Sequence, residues 1–281
     1  MASIVWLASY PKSGNTWVRA FLHNLFRNAT VAHDINRMDE LTLGDTKPSA
    51  YTAVEPAFTT AWPMAETFAL RARVHRAIAA SRPDSVFVKT HTALVEAQGH
   101  PLVTMEVTSG AIYIVRNPLD VAVSFADHFG LSLDTTIAHM GQRGHVLPQN
   151  EINAYELVGS WSENVESWTQ RPTLGLHVVR YEDLLDQPRK TFGSIASFLG
   201  VEPPRERLER AIKLSSFKVL KEQERRRGFR ERAPHAQAFF RKGTRGQWRT
   251  ELAAQQVARV VADHGKMMQR FGYLDAAGQP T

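Results

Sequence analysis

Lys12, Ser13 and Thr16 gather around Gly14 in the octapeptide Tyr10-Pro11-Lys12-Ser13-Gly14-Asn15-Thr16-Trp17, so one ammonium and two hydroxyls share a single short turn. Charge-assisted donors packed this closely suit an anion with several oxygens, a phosphate or a sulfate. Lys89 and His91 form a second group, and an imidazole with an ordinary pKa of about 6.5 can accept a proton at neutral pH. Taken alone, His91 could equally be a structural histidine that caps a loop. Arg116 and Ser124 are a third group that could hold one anion between them, although Asp120 lies near enough for Arg116 to form a plain ion pair instead. A fourth is the basic run of Arg225, Arg226, Arg227, Arg230, Arg232, Arg241, Lys242, Arg245 and Arg249. It fits a nucleotide with several phosphates, a nucleic-acid surface, or a solvated loop.

The elements that would place these groups follow from apolar spacing. Ile4-Val5-Trp6-Leu7 is short enough for a buried strand, and after the loop Trp17, Phe21 and Leu25, with Val18, Leu22 and Phe26, recur at helical spacing. This is a strand, a loop and a helix, and the first amides of such a helix lack partners and attract anions. The loop is not a Walker A sequence, because Lys12 precedes the only glycine. Residues 28 to 64 are broken by Asp34, Asn36, Gly44, Asp45, Pro48, Pro56 and Pro63, which predicts an irregular excursion with short helices.

A helix is predicted over 65 to 80 and a strand over Ser85 to Thr90, which delivers Lys89 and His91 to its carboxyl end. In a parallel sheet that is the rim where chemistry collects. A further strand, Ala111 to Val115, runs into Arg116, after which Asn117 is a good N-cap and Pro118 a good first helical residue for Leu119, Val123 and Ala126. Residues 132 to 153 read as a loop or lid, 154 to 170 as an amphipathic helix, and Gly175 to Arg180 as a strand followed by Tyr181. Helices over 188 to 199, closed by Gly200, and 205 to 213 come next. Gly228 and Pro234 then argue against continuous structure in the basic run, and a last helix spans about 250 to 271, with Val257, Val260, Val261, His264, Met268 and Phe271 as its buried stripe. The alternation predicts an α/β fold, a three-layer sandwich with a central mostly parallel sheet and a P-loop-like strand-loop-helix nucleotide site, in a single domain over 1 to 281.

With 43% hydrophobic and 22% charged residues, the chain has the composition of an ordinary globular protein. It has no cysteine, which excludes disulfides, thiolate metal sites and a cysteine nucleophile. Neither a signal-peptide pattern nor an apolar run of membrane-spanning length is visible, so a cytoplasmic protein without a membrane partner is expected. The net charge of +6 points to an anionic partner.

Taken together, these pieces resemble the cytosolic-type sulfotransferases, which use 3′-phosphoadenosine-5′-phosphosulfate (PAPS). YPKSGNTW at 10 to 17 is similar to the family's YPKSGTTW loop, VKTH at 88 to 91 to the strand ending in its catalytic histidine, and IVRNPLDVAVSFADHF at 114 to 129 to RNPKDVAVSYYHF. YEDL at 181 to 184 and RKGTRGQW at 241 to 248 resemble the adenine-side tyrosine and the RKGxxGDW element. The resemblance implies that His91 is the general base and Lys12 neutralises the leaving phosphate, with Lys89 available to the sulfuryl oxygens. It implies that Ser13, Gly14, Asn15 and Thr16 hold the 5′ end. Arg116, Ser124, Arg241, Lys242 and Gly243 would grip the 3′-phosphate; Trp17 and Phe217 would sandwich the adenine, with Tyr181 at its edge and Ser215 as a further cofactor-binding residue. No metal is called for, since lysines and arginines can stabilise the charge that Mg²⁺ handles in kinases. Asn15 and Gln247 depart from the family pattern, the second replacing an acidic residue, and the animal branch's KxxxTVxxxE dimer motif is not found, so the oligomeric state stays open.

A nucleotide-dependent kinase or a non-catalytic module binding nucleic acid or another polyanion would share some of these features. The kinase would be distinguished by needing Mg²⁺ and ATP, and the binding module gives no reason for VKTH beside YPKSGNTW. The acceptor is expected to be a small-molecule hydroxyl compound, a phenol, alcohol or bacterial-style natural product rather than a long glycan. Segments 30 to 64, 132 to 153 and 222 to 238 are the candidate acceptor or lid segments, and Tyr51, Phe58, Trp62, Phe125, Phe129 and Phe229 hint at an apolar or aromatic compound.

Overall fold

The computed structural model describes residues 2–170, 175–233 and 235–281, so Pro234 lies outside the described residues. The apolar opening forms β1 (Ile4–Ser9), and the Lys12 loop leads into α1 (Asn15–Phe26). The excursion that follows contains a 3₁₀ turn (Ile35–Glu40), β2 (Thr42–Gly44) and α2 (Pro48–Val54). Its short helices agree with the sequence. The strand does not, because three residues in a polar, proline-broken stretch carry no period of their own and gain strand geometry from their neighbour. The chain continues through α3 (Met64–Ala80), β3 (Val86–Thr90), the hairpin β4 (Glu96–Ala97) and β5 (His100–Pro101), and β6 (Thr108–Val115).

Next comes α4 (Pro118–Phe129), started as expected: the Asn117 side chain accepts the N–H of Leu119 at 3.0 Å, a cap worth about 1 kcal/mol. Residues 132 to 153 are more ordered than a loop or lid. They hold α5 (Leu133–Gly141), anchored by buried Ile137 and Met140, and β7 (Val146–Leu147). The helix expected from 154 begins only at α6 (Trp161–Thr169), because Glu156 and Leu157 form β8, antiparallel to β7, and a reciprocal capping box between Ser160 and Glu163 fixes the start.

Then come β9 (Leu176–Arg180), α7 (Tyr181–Asp186), α8 (Pro188–Phe198) and α9 (Arg205–Leu214). The basic run also departs from expectation, since α10 (Phe217–Arg227) is regular helix; Arg225, Arg226 and Arg227 are exposed, and it buries Leu220 and Glu224. The last helix is divided into α11 (Trp248–Glu251) and α12 (Ala254–Arg270) by extended backbone at Leu252. Val260, His264, Met267 and Met268 are buried on α12, whereas Val257, Val261 and Phe271 are only half-buried.

A central five-stranded sheet in the order β2-β3-β1-β6-β9 is flanked by helices, as expected. Both strand pairs around β3 are parallel, and Lys89 on β3 lies opposite Leu7 on β1 and Gly44 on β2. The chain separates into two compact units. The first contains Leu41–Tyr113 and His139–Val178 with the segment ending at Pro11; the second contains Lys12–Glu40, Ile114–Ala138 and Val179–Thr281.

Within the first unit, Ile4, Trp6, Leu7, Val86 and Val88 are buried, α3 sets the His75 ring edge-on to Trp6 at 5.0 Å, and α6 stacks Trp168 on Tyr113 at 6.1 Å. Within the second, α1 lays Phe21 against Phe192 of α8 at 4.3 Å. A separate cluster there joins Ala20, Ile35, Met38, Leu220, Phe229 and Phe240, with Trp17, Phe217 and Phe239 packed against it. Among the described residues no helix is long and apolar enough to cross a membrane.

Candidate active site

In the first unit, β3 ends on Lys89 and Thr90, His91 follows directly, and Thr90 joins a buried polar cluster. Arg71 of α3 is wholly buried and gives one N–H to Asp45 at 2.7 Å and another to Thr92 at 3.1 Å, while the Thr90 hydroxyl donates to the same Asp45 oxygen at 3.1 Å. Burial opposes the charge on Asp45, but the Arg71 guanidinium and the bonds from His75 and Thr90 outweigh it and hold the carboxyl below its usual range. Such a pair is costly to dissolve from one side only.

His91 is half-buried and held through its backbone and its ring, whose Nδ1 also lies 3.2 Å from the Ser9 hydroxyl. Its backbone N–H donates to Glu156 Oε1 at 2.8 Å, its carbonyl accepts from Asn164 Nδ2 at 2.9 Å, and its ring Nδ1 lies 2.8 Å from the carbonyl oxygen of Ser9. A carbonyl can only accept, so Nδ1 carries the proton and Nε2 is left with a lone pair. Asn164 is itself fixed by the Tyr113 hydroxyl, which donates to its Oδ1 at 2.8 Å. Burial, and then the charge of Asp45, push the Glu156 carboxyl above its ordinary range, against the pull of Lys89, the His91 amide and Arg71.

The second unit holds the other expected residues. Lys12 adopts a left-handed backbone (φ 67°) and Gly14 a more extreme one (φ 103°). Glycine is needed at 14 for space as well, since a Cβ there would stand 2.6 Å from the Tyr181 ring. Ser13 is fully buried, with a hydroxyl that has no hydrogen-bond partner, and α1 begins without a side-chain cap or an acidic residue in its first turn. Together these leave an anion-seeking helix start. The Lys12 ammonium lies 3.9 Å over the Phe239 ring.

Arg116 sends one N–H to the Lys12 carbonyl at 2.9 Å and another towards the Thr244 carbonyl at 3.4 Å, and its guanidinium lies 4.3 Å over the Tyr181 ring. Its Nε is buried without a partner. Ser124 is half-buried on the helix that Arg116 precedes. Trp17 meets Tyr181 edge-on at 5.8 Å, and Gly243 (φ 63°) lies so close to the Phe217 ring that a Cβ would come within 2.2 Å of it. Arg241 donates to Gln247 Oε1 at 3.1 Å and stands 3.7 Å from Asp127; Lys242 pairs with Glu251 at 2.7 Å. The Ser215 hydroxyl turns back onto the Ala211 carbonyl of α9 at 2.9 Å. Unpartnered donors, a cradle that admits only glycine and a set of cations fit a nucleotide with phosphate at both ends.

Thus Lys89 and His91 lie in the first unit, and Lys12 to Trp17 with Arg116, Ser124, Tyr181, Ser215, Phe217, Arg241, Lys242 and Gly243 in the second. Asp120 does not pair with Arg116; it accepts the N–H groups of Gly246 at 2.7 Å and Trp248 at 3.2 Å. Sequence reasoning also passed over Glu182, whose carboxylate accepts the Asn117 N–H at 3.0 Å and the Tyr273 hydroxyl at 2.9 Å. Its place inside YEDL was the available signal. Glu156 and Asn164 had none, since each meets His91 across more than sixty residues of chain. Of the aromatics named for an acceptor, Tyr51, Phe58, Phe125 and Phe229 are buried, and Tyr51 packs on Phe58 at 4.9 Å. Among the described residues no group of three His, Asp or Glu side chains is placed to hold a metal ion.

A family model described as the sulfotransferase domain matches residues 3–272. Sulfotransferase 1A1 of the dog is 25% identical over 280 residues, covering 95% of this chain and 83% of its own. The 3-alpha-hydroxysteroid sulfotransferase of the guinea pig is 32% identical over 154 residues, 52% of this chain and 51% of its own. Among solved structures, retinol dehydratase in complex with androsterone and inactive cofactor PAP superposes with a TM-score of 0.63 at 21% identity, covering 95% of this chain and 80% of that one. A mouse sulfotransferase complexed with PAP gives 0.61 at 18% identity, over 99% of this chain and 87% of that one.

Proposed function

This chain belongs to the sulfotransferase domain family, and from that membership we propose that it transfers a sulfuryl group from PAPS to a hydroxyl of a small molecule, yielding a sulfate ester and 3′-phosphoadenosine-5′-phosphate (PAP). PAPS supplies a sulfuryl already activated by its anhydride bond to phosphate. In this proposal Ser13, Gly14, Asn15 and Thr16 receive the 5′ end, and Arg116, Ser124, Arg241, Lys242 and Gly243 the 3′-phosphate. Trp17, Phe217 and Tyr181 surround the adenine, and Ser215 joins them in binding the cofactor.

The acceptor oxygen forms its bond to sulfur while its proton passes to His91 Nε2, and the electron pair of the broken S–O bond ends on a phosphate oxygen whose charge Lys12 stabilises. Lys89 stabilises the sulfuryl oxygens. Androsterone, held by a related fold together with PAP, is consistent with an apolar hydroxyl compound as acceptor.

The observation that carries this reading is the fully buried, unpartnered Ser13 hydroxyl beside the uncapped start of α1. Calorimetric titration with PAP, AMP and ATP-Mg²⁺ tests it. PAP should bind roughly a hundredfold more tightly than AMP, as expected for charge-assisted bonds to one phosphate, and Arg116→Ala should abolish that preference. Equal affinity for PAP and AMP would sink the proposal, and tighter binding of ATP-Mg²⁺ would favour a kinase.

A further inference from the structure

We propose that Glu156 is a positioning residue for His91: its carboxylate, reaching from β8, fixes the backbone of the base where the sheet no longer can. His91 lies one residue beyond β3, past the last parallel pairing of Ala8 with Thr90, so the sheet ladder has stopped supporting the chain there. Glu156 Oε1 takes the His91 N–H at 2.8 Å, and Asn164 Nδ2 binds the carbonyl of the same residue at 2.9 Å. The two flanking peptide groups of one residue are thereby held by two different elements. With its backbone pinned, His91 can reach the Ser9 carbonyl through Nδ1 at 2.8 Å, which sets the tautomer and turns Nε2 into the nitrogen that accepts a proton.

An isolated carboxylate at this depth is unfavourable, so its burial calls for an explanation. The charged and titratable groups around Glu156 are Asp45 of the segment after β2, Tyr51 of α2, Arg71 of α3, and Lys89 and His91 at the end of β3. None of the carboxylates and cations in that set binds the His91 N–H; Glu156 does. The positioning role does not depend on its charge, because either protonation state leaves an oxygen to accept that bond. Sequence gives no warning of it: Glu156 lies in a two-residue strand, and Asn164 follows in the first turns of α6.

The inference rests on His91 being the base, and the experiment separates the two. Long-range ¹H–¹⁵N spectra of the full chain with PAP bound would report the His91 tautomer and its titration, the His91 signals being assigned by their loss in His91→Gln. Wild type should show Nδ1–H as the dominant neutral form. Glu156→Gln, which keeps an oxygen acceptor, should preserve it. Glu156→Ala should give a mixture of tautomers and slow sulfuryl transfer from PAPS to the hydroxyl of 2-naphthol, read as release of PAP, by roughly a hundredfold, the scale on which small misplacement of a reacting group acts, with PAP affinity within about twofold of wild type. If Glu156→Ala does not fold, Glu156→Asp is read in its place, since its shorter reach withdraws the same bond. A wild-type tautomer in the shortened or truncated variant overturns the proposal. Undiminished transfer by His91→Gln instead removes the base assignment and leaves the positioning result standing on its spectra.

Discussion

The cluster around Asp45 in the first unit and the cluster around Arg116 in the second both concentrate charge, and they complete it in opposite ways. Arg71 and Asp45 are wholly buried and close on each other in charge, with Thr90 and Thr92 taking up further positions, although Asp45 Oδ1 and Arg71 Nε have no hydrogen-bond partner among the described residues. Arg116 ends on two backbone carbonyls and an aromatic face and makes no ion pair among the described residues, although the charge of the Glu182 carboxyl acts on it without contact. The Ser13 hydroxyl nearby in sequence to that carbonyl at Lys12 also has no partner. The difference is one of who supplies the last member. A cluster that closes on itself contributes rigidity, whereas one that stops at neutral oxygens is completed by an anion from outside.

The sharpest way to break this contrast is Arg71→Met. Removing one side of a closed, buried pair should cost about 3–5 kcal/mol, read as a lowered urea midpoint at unchanged slope, and Asp45→Leu added to it should restore part of the loss. If the single change is neutral, Arg71 and Asp45 do not stabilise the fold by cancelling each other's charge.

Acid tests the second unit through histidines outside the anion grip. Burial lowers His23 on α1 and His264 on α12 to about 4. Both are depressed, so the stability they carry is present above the ordinary histidine pKa and is lost as pH falls from about 6.5 to about 4, where the unfolded chain takes up protons that the folded chain refuses. The loss should be on the order of 2 kcal/mol for each, and His75 in the first unit adds to it with the same sign. Thermal melts across that range check it; replacing both His23 and His264 by glutamine should flatten the slope if the folded protein tolerates the change.

The smallest effect sharpens the comparison most finely. Gln247→Asp would put a carboxylate where a neutral amide now accepts from Arg241, making the grip slightly more self-satisfied. PAP should then bind roughly two- to threefold more weakly at low salt, and less so at high salt, because screening blunts an exposed charge. Tighter binding would show that Gln247 does not preserve the charge of Arg241 for a ligand.

What the sequence made legible follows from this same division. Lys12 to Trp17, the Asn117-Pro118 cap and the strand-end position of His91 depend on residues adjacent in the chain, and they appear where spacing and turn chemistry place them. β2 was illegible because Thr42-Leu43-Gly44 is too short to carry a period of its own and becomes a strand only by lying beside Phe87 to Lys89. α10 was hidden by Arg225, Arg226 and Arg227, which satisfy no apolar period yet cost nothing on an exposed face. The supports of His91 were hidden for a different reason: Glu156 and Asn164 act through backbone groups of a distant residue, and a carboxylate that binds an amide leaves no pattern in sequence.

Asp120 has a practical consequence. By accepting the N–H groups of Gly246 and Trp248 it ties the segment carrying Arg241, Lys242 and Gly243 to the helix that follows Arg116. For anyone redesigning this protein, residues 116 to 124 and 241 to 248 are therefore a single exchangeable cassette. Grafting either half into another scaffold without the other would strand a buried aspartate at one end and a glycine turn at the other.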